Sequence, residues 1–447
     1  ATSIGSSLVG SMYILDEPSI GLHPRDSLRL IEVLKKLRDV GNSVIVVEHD
    51  EEMMKSADMI IDIGPYAGRH GGEVVFKGNH SELVKASKSL TAKYLTGQYK
   101  IEVPKVRRKP KDFIIIEQAY LHNLQNITVK IPLNQICVVT GVSGSGKSTL
   151  IGKILHTFLE RFFLTGLVKA SHCNDIKMNF DLVSGVEYIN QNPIGKSSRS
   201  NPITYTKGYD DIRQLFASEK HAKAKGFKPG YFSFNVDGGR CEKCQGEGQL
   251  TISMQFMADV HLKCDECDGK RFKEEVLEVK FKGKNISQVL EMTVEESLDF
   301  FNEDNTLCKK IKAKIFALSE VGLEYVQLGQ ASNTLSGGEA QRIKLASFLS
   351  HNKSKQKKLF IFDEPTTGLH FHDVKKLIKA LQDLVEMGHH VVIIEHHMDI
   401  IKSADWIVDL GPEGGDKGGT LVFEGSPESF VKSKVLSPTK DHLKEYI

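Results

Sequence analysis

The chain has 447 residues, 40% apolar and 26% charged, with a formal net charge of +2. It is long enough to bury two or three domain cores. With no run of about 18 apolar residues and no basic-then-hydrophobic start, it reads as a soluble globular protein expected in the cytoplasm, not a membrane-spanning or secreted one. A charge so near neutrality excludes neither nucleic acid nor acidic small ligands, because local patches decide such contacts.

In chain order, Met12 to Leu15 and Ser43 to Val47 are short apolar runs of the kind that form buried parallel strands, with helical periodicity from Leu28 to Leu37 between them. Val74 to Phe76 follows as an edge strand and Ser81 to Tyr94 as a polar helical stretch. From Thr96 to Lys111 the periodicity gives way to Pro104, Pro110 and the densest basic run, Lys105 to Lys111, which marks a linker. Strands are expected at Phe113 to Ile116, Ile127 to Ile131 and Ile136 to Thr140, then a helix from Ser148 to about Phe158. After a long insertion come strands at Leu359 to Phe362 and His390 to Ile394, with a helix from Val374 to about Met387 between them. The domains so predicted are 1–98, a linker 99–112, 113–160, an insert 161–330, and 331–447.

The first and last regions are copies. Leu15-Asp-Glu-Pro18 returns as Phe362-Asp-Glu-Pro365, and Asp16 matches Asp363, Glu48-His49 matches Glu395-His396, Asp62 matches Asp409 and Gly78 matches Gly425, all at one separation (363 − 16 = 347). Only the second copy is preceded by Gly141-Val-Ser143-Gly144-Ser-Gly146-Lys147-Ser148, so the chain is expected to be a piece of a longer protein. In that motif the glycines let backbone N–H groups converge on phosphate oxygens. Lys147 neutralises their charge, and Ser148, followed by Thr149, offers a hydroxyl to magnesium. Asp363 ends an apolar strand where its carboxylate can hold the magnesium shell, and Glu364 can act as general base. Glu395-His396 ends the next strand, where a carboxylate and an imidazole can sit beside a γ-phosphate, and the repeat of His396 at His49 favours that role over a structural one.

Seven cysteines include two pairs, Cys241-Glu-Lys-Cys244 and Cys264-Asp-Glu-Cys267. Thiolates spaced i and i+3 on two knuckles close a tetrahedral zinc site, which outweighs a redox dithiol once two pairs are present. Cys137, Cys173 and Cys308 are ordinary thiols. Between the pairs, Gly248 to Phe256 alternates apolar and polar as one strand of a hairpin does. Lys196, Arg199 and Lys207, on a glycine- and serine-rich stretch, are free to reach phosphates, though a plain solvated loop explains them too.

The phosphate loop, Leu335-Ser336-Gly337-Gly338-Glu339 and the strand-end carboxylate and histidine pairs resemble the ATP-binding-cassette superfamily. The implied fold is α/β: a P-loop cassette with an inserted helical signature and zinc-hairpin domain, preceded by a truncated copy of the cassette. The resemblance implies a head-to-tail ATP sandwich in which Ser336, Gly337 and Gly338 close a phosphate loop on the far side, Asp16, Glu17 and His49 serve a second site, and Gln191 sits in a glutamine loop. A closer resemblance is to the UvrA excision-repair ATPases, carried by Asp16 to His23, Gln191 to Gly195, Arg199 to Pro202, Phe232 to Asn235, Gly239 to Glu242, Leu335 to Arg342 and Asp363 to His370. It implies the C-terminal half of such a protein. The function implied is an ATPase that recognises damage in double-stranded DNA, with ATP, magnesium and zinc, a repair helicase of the UvrB type and a second copy as partners, and no membrane. A self-resistance paralogue is the nearest alternative. An ATP-binding subunit of a transporter fits less well, because Gly141 and Ser336 are far apart with a zinc module between.

Overall fold

The computed structural model describes residues 9–86, 88–166, 169–195, 199–254, 256, 259–350 and 356–447. It divides into two compact units, Ala1–Asn190 with Lys353–Ile447, and Gln191–Asn352. The boundaries therefore fall at 191 and 352, where sequence reading places them at 161 and 330, and the helix Gly337–Leu349 lies in the inserted unit. Among the described residues no helix is long and apolar enough to cross a membrane.

The first unit holds both copies. In the first, β1 (Met12–Asp16) pairs in parallel with β2 (Ser43–Val47) and β3 (Ile60–Gly64) pairs antiparallel with β4 (Glu73–Gly78). The strands β5 (Phe113–Ala119), β6 (Ile127–Pro132), β7 (Ile136–Thr140), β8 (Asp175–Lys177) and β9 (Val186–Ile189) follow. In the inserted unit β10 (Gln249–Ile252) and β11 (Val260–Lys263) form a hairpin. β12 (Leu359–Asp363), β13 (His390–Ile394), β14 (Trp406–Gly411) and β15 (Thr420–Gly425) repeat β1 to β4. Each copy even places a register shift at the same point, Asp62/Ile63 and Asp409/Leu410.

The second copy builds one six-stranded sheet in the order β15-β14-β7-β13-β12-β9, so β7 lies between the two halves of the repeat. Its core strands are apolar on both faces, as a parallel sheet with both faces covered requires. In the first copy β1-β2 and β3-β4 are separate two-stranded sheets. The expectation of buried strands there needs correction. Burial alternates along β1 and β2, and Ile14 is 68% exposed, because no described segment packs on that face. The helix Pro24–Asp39 covers the other face, with Ile31, Leu34 and Leu37 buried one helical turn apart.

Two further expectations shift. The polar stretch Ser81 to Tyr94 is two short helices, His80–Leu83 and Leu90–Leu95. The basic run is not loose: Arg107 donates to the Ala404 and Lys402 carbonyls, both at 2.7 Å, and pairs with Glu428, while Arg108 pairs with buried Asp405. These guanidiniums satisfy carbonyls at the C-terminal end of the helix Met398–Ser403 and a buried carboxylate.

The inserted unit is helical around an aromatic core of Phe216, Phe232, Phe234, Phe272 and Phe301, all essentially inaccessible. Its longest helices are Gly208–Ser218, Thr306–Glu320 and Gly337–Leu349.

Candidate nucleotide site and cysteine cluster

β7 runs into the phosphate-loop sequence, and the chain then winds into a wide helix, Thr149–His156, continued as an α-helix to Thr165. Gly141 has φ +129, and a Cβ there would lie 1.9 Å from the Leu410 carbonyl oxygen, so only glycine fits. Ser143, Gly144 and Ser148 are exposed, so the rim of the loop is open to a ligand, with Thr149 half-buried behind it and Gly146 held against Leu124. Lys147 is buried and donates to the carbonyls of Gly141 and Val142 at 2.9 and 3.0 Å. Burial lowers the lysine to about 8, against the opposing pull of Glu364, Asp409 and Asp363. An incoming phosphate would replace those carbonyls as the ammonium's partner.

β12 ends at Asp363, whose carboxylate accepts from the Tyr188 hydroxyl at 2.7 Å. Glu364 stands next at φ +48, a left-handed conformation that costs on the order of 1–3 kcal/mol for a side-chain-bearing residue and collects at functional sites. Burial, then Glu395 and Asp363, raise its carboxyl to about 7, with Lys147 opposing. His396 is 6% exposed, its Nε2 3.7 Å from Glu364 Oε1, and burial keeps it well below the ordinary histidine range, hence neutral. Phosphate loop, magnesium-type carboxylate, base candidate and imidazole therefore share one end of one sheet. The residues fit a nucleotide with magnesium: open N–H donors, one ammonium, one hydroxyl and one strand-end carboxylate.

Glu395 departs from the sequence reading that placed a carboxylate beside the γ-phosphate. Its oxygens accept from the backbone N–H of Thr366 at 3.0 Å, His396 at 2.6 Å and His397 at 2.9 Å, and from the Thr366 hydroxyl, so it braces the turn after β12. In the first copy Glu48 does the same for Ser19 and His49. There Asp16 ends β1, Glu17 has φ +44, and His49 Nε2 lies 2.9 Å from Glu17 Oε1. Sequence reading missed Tyr188 and, for the two glutamates, the bracing role. A single tyrosine within β9 carries no pattern of its own, though the repeat of Glu48 at Glu395 does.

In the inserted unit Ser336 caps the helix Gly337–Leu349: its hydroxyl accepts from Glu339 N at 3.2 Å and Glu339 accepts from Ser336 N at 2.8 Å. Gln191 lies against this helix start, where a Cβ on Gly337 would sit 3.0 Å from the Gln191 Cβ, and Gly338 follows, buried. Cys241, Cys244, Cys264 and Cys267 are buried with their sulfurs all within 4.8 Å of one another. The Cys241–Cys264 and Cys244–Cys267 sulfurs are 3.9 and 3.6 Å apart, near the roughly 3.8 Å that tetrahedral zinc–thiolate bonds of 2.3 Å require. The four residues fit zinc. The β10-β11 hairpin rises from this cluster, its apolar side chains Ile252, Met254, Val260 and Leu262 open to solvent and Phe256 at the tip 97% exposed.

Of the three basic residues singled out for phosphate contact, Lys196 lies outside the described residues. Arg199 is not free as expected, since it pairs with Glu247 at 3.6 Å. Lys207 is exposed, at φ +59 just before the helix Gly208–Ser218.

No protein-family model matches the chain. It is 54% identical to UvrABC system protein A of Clostridium perfringens over 454 residues and 52% identical to that of Aquifex aeolicus over 448, in both cases across all of this chain. The chain belongs to the UvrA family. It spans about half the length of these curated relatives, 47% and 48%. The crystal structure of UvrA2 from Deinococcus radiodurans superposes on all of it with a TM-score of 0.91 at 40% identity, covering 53% of that chain. The fold is thus the UvrA one, an α/β ATP-binding cassette with an inserted unit, beside a partial second cassette.

Proposed function

We propose that this chain is the part of a UvrA-type nucleotide-excision-repair ATPase that binds ATP and magnesium at Gly141 to Thr149 and senses distortion in double-stranded DNA through its zinc-mounted hairpin. The observation that carries the reading is one polypeptide holding both a phosphate cradle with a raised-pKa base, Glu364, and an exposed apolar hairpin tip, Phe256, fixed to a four-thiolate cluster.

In this reading backbone N–H groups of the loop and Lys147 hold the β- and γ-phosphates, and Ser148 and Asp363 would hold the magnesium, which neutralises phosphate charge when bound. Glu364 accepts the proton of the attacking water, and neutral His396 donates a hydrogen bond toward the γ-phosphate. Gln191, Ser336, Gly337 and Gly338 belong to the closing face of such a site, with Asp16, Glu17 and His49 in its first-copy counterpart. A second copy would bring those faces together head to tail, and a UvrB-type helicase would receive the damaged duplex. Lys207, Lys196 and, once released from Glu247, Arg199 would meet DNA phosphates.

The test is a titration of matched intact and lesion-bearing duplexes at several salt concentrations, with elemental analysis of the same protein. About one zinc per chain is expected from four thiolates. Lys207→Ala should weaken both duplexes alike and flatten the slope of log affinity against log salt by about 0.9, one counterion fewer. Shortening the hairpin from Leu250 to Phe256 should erase lesion preference and spare nonspecific affinity. A metal-free protein with four reactive thiols, or a hairpin variant that still prefers lesions, refutes the reading.

A further inference from the structure

We propose that His23, in the loop after β1 of the first copy, is a positioning residue for the Lys147–Glu364–His396 site of the second copy, acting through Thr439 on Asp409. The proposal rests on the reading of that site as an ATPase centre.

His23 caps the helix Pro24–Asp39 with its Nδ1, which accepts from Arg25 N at 3.2 Å. That bond leaves the ring proton on Nε2, and Nε2 faces the hydroxyl of Thr439 at 3.1 Å. Both residues are fully buried. Thr439 can accept from His23 and lines one small cleft with Asp409 and Gly141, so its hydroxyl proton can turn toward the Asp409 carboxylate, whose Oδ1 is buried without another partner and whose carboxyl burial raises to about 6. Asp409 stands opposite Thr140 in the β14-β7 register, the residue before Gly141, so it lies beside the entry to the phosphate loop. The His23 ring also meets His396 edge-on, with centroids 5.9 Å apart. Burial takes His23 down to about 3, so the ring is neutral and keeps the single proton this geometry uses.

The capping histidine and its Nε2–threonine contact are made twice. His370, the counterpart of His23, caps the helix Phe371–Glu386 through Nδ1, and its Nε2 lies 3.3 Å from Thr91. Thr91 donates to Asp62, the counterpart of Asp409, at 3.1 Å, beside Ser89 at 2.6 Å. The glycines two residues earlier are reciprocal as well. A Cβ on Gly21 would lie 3.0 Å from Glu364 Oε2, and one on Gly368 would lie 3.2 Å from Glu17 Oε1. Capping alone needs only Nδ1 and leaves the Nε2 contact unexplained. A contact that recurs with the roles of the copies exchanged ties each base candidate to the loop of the other copy.

The experiment is single-turnover hydrolysis with the 447-residue chain in excess over ATP, alongside binding of a fluorescent ATP analogue. His23→Ala and Thr439→Val should each slow hydrolysis roughly tenfold with nucleotide affinity held within about twofold, as loss of orientation does. The double variant should be no slower than either single one, since the two side chains act as one unit, and Thr439→Ser should restore the rate. If His23→Ala does not fold, Thr439→Val against Thr439→Ser decides. Equal rates in all variants, additive losses, no recovery with serine, or an unmodified chain that binds ATP without hydrolysing it overturns the proposal. Failure of the ATPase reading looks different: binding of the analogue would then be indifferent to Lys147→Ala.

Discussion

In the first copy Glu17 stands at φ +44 with His49 Nε2 2.9 Å from its carboxylate, and in the second Glu364 stands at φ +48 with His396 3.7 Å away. The turn, the bracing glutamate and the capping histidine that follow are the same in both. What surrounds them is not. Ile14 is 68% exposed whereas its counterpart Ile361 is 0%, and Ile63 is 66% exposed where Leu410 is 1%. Strand-end chemistry is therefore imposed locally, by the strand, its turn and its register. Burial is imposed by neighbouring strands and the covering layer, which among the described residues β7, β9 and the helix Thr149–His156 supply to the second copy alone.

The comparison breaks most visibly at the base. Glu364→Gln should lower ATP turnover by about 10²–10⁴-fold while nucleotide still binds, the usual contribution of a positioned general base. A loss under tenfold would show that the shared turn geometry does not carry the proton transfer. Stability should separate the copies next. Ile361→Ala should cost about 2–5 kcal/mol in a denaturant titration, whereas Ile14→Ala should stay within about 0.5 kcal/mol. Equal costs would mean that the exposed face of β1 is covered in solution.

The smallest effect expected is on pH dependence. Because the carboxyl of Glu364 is raised to about 7, its contribution to stability is present below the ordinary carboxylate range and is lost as pH rises through about 7. The melting temperature should therefore fall, relative to Glu364→Gln, between about pH 5 and 8. Turnover should rise over the same span as the base loses its proton. A melting difference that is flat with pH would place Glu364 in water.

The strands β7, β12 and β13 of the second copy were legible because a buried parallel strand is a continuous apolar run and the helices beside it keep one apolar stripe. Ile136 to Thr140 and His390 to Ile394 fall where the pattern put them. The cysteine cluster was legible because ligand spacing is local. Partners distant in sequence were not: Tyr188 on Asp363, Arg199 on Glu247, Arg107 on the carbonyls at the end of the helix Met398–Ser403, and Thr439 beside His23. Each is fixed by tertiary packing, which no periodicity encodes. The exposed faces of β1 and β2 went unread for a related reason: an apolar run reports what a strand is able to bury, and the neighbouring layer decides whether it does.

The position of β7 between β14 and β13 also sets a timetable for synthesis. The Ile136 N–H, at the start of β7, donates to Asp405 across a sequence separation of 269 residues. At about 5–20 residues per second, β7 emerges with both edges bare and waits on the order of tens of seconds for its neighbours. The inserted unit can fold completely in that interval, whereas Ile136-Cys-Val-Val-Thr140 remains an unpaired apolar strand, the kind that recruits other chains. Chaperone demand during translation should thus be concentrated on the segment that later presents the phosphate loop.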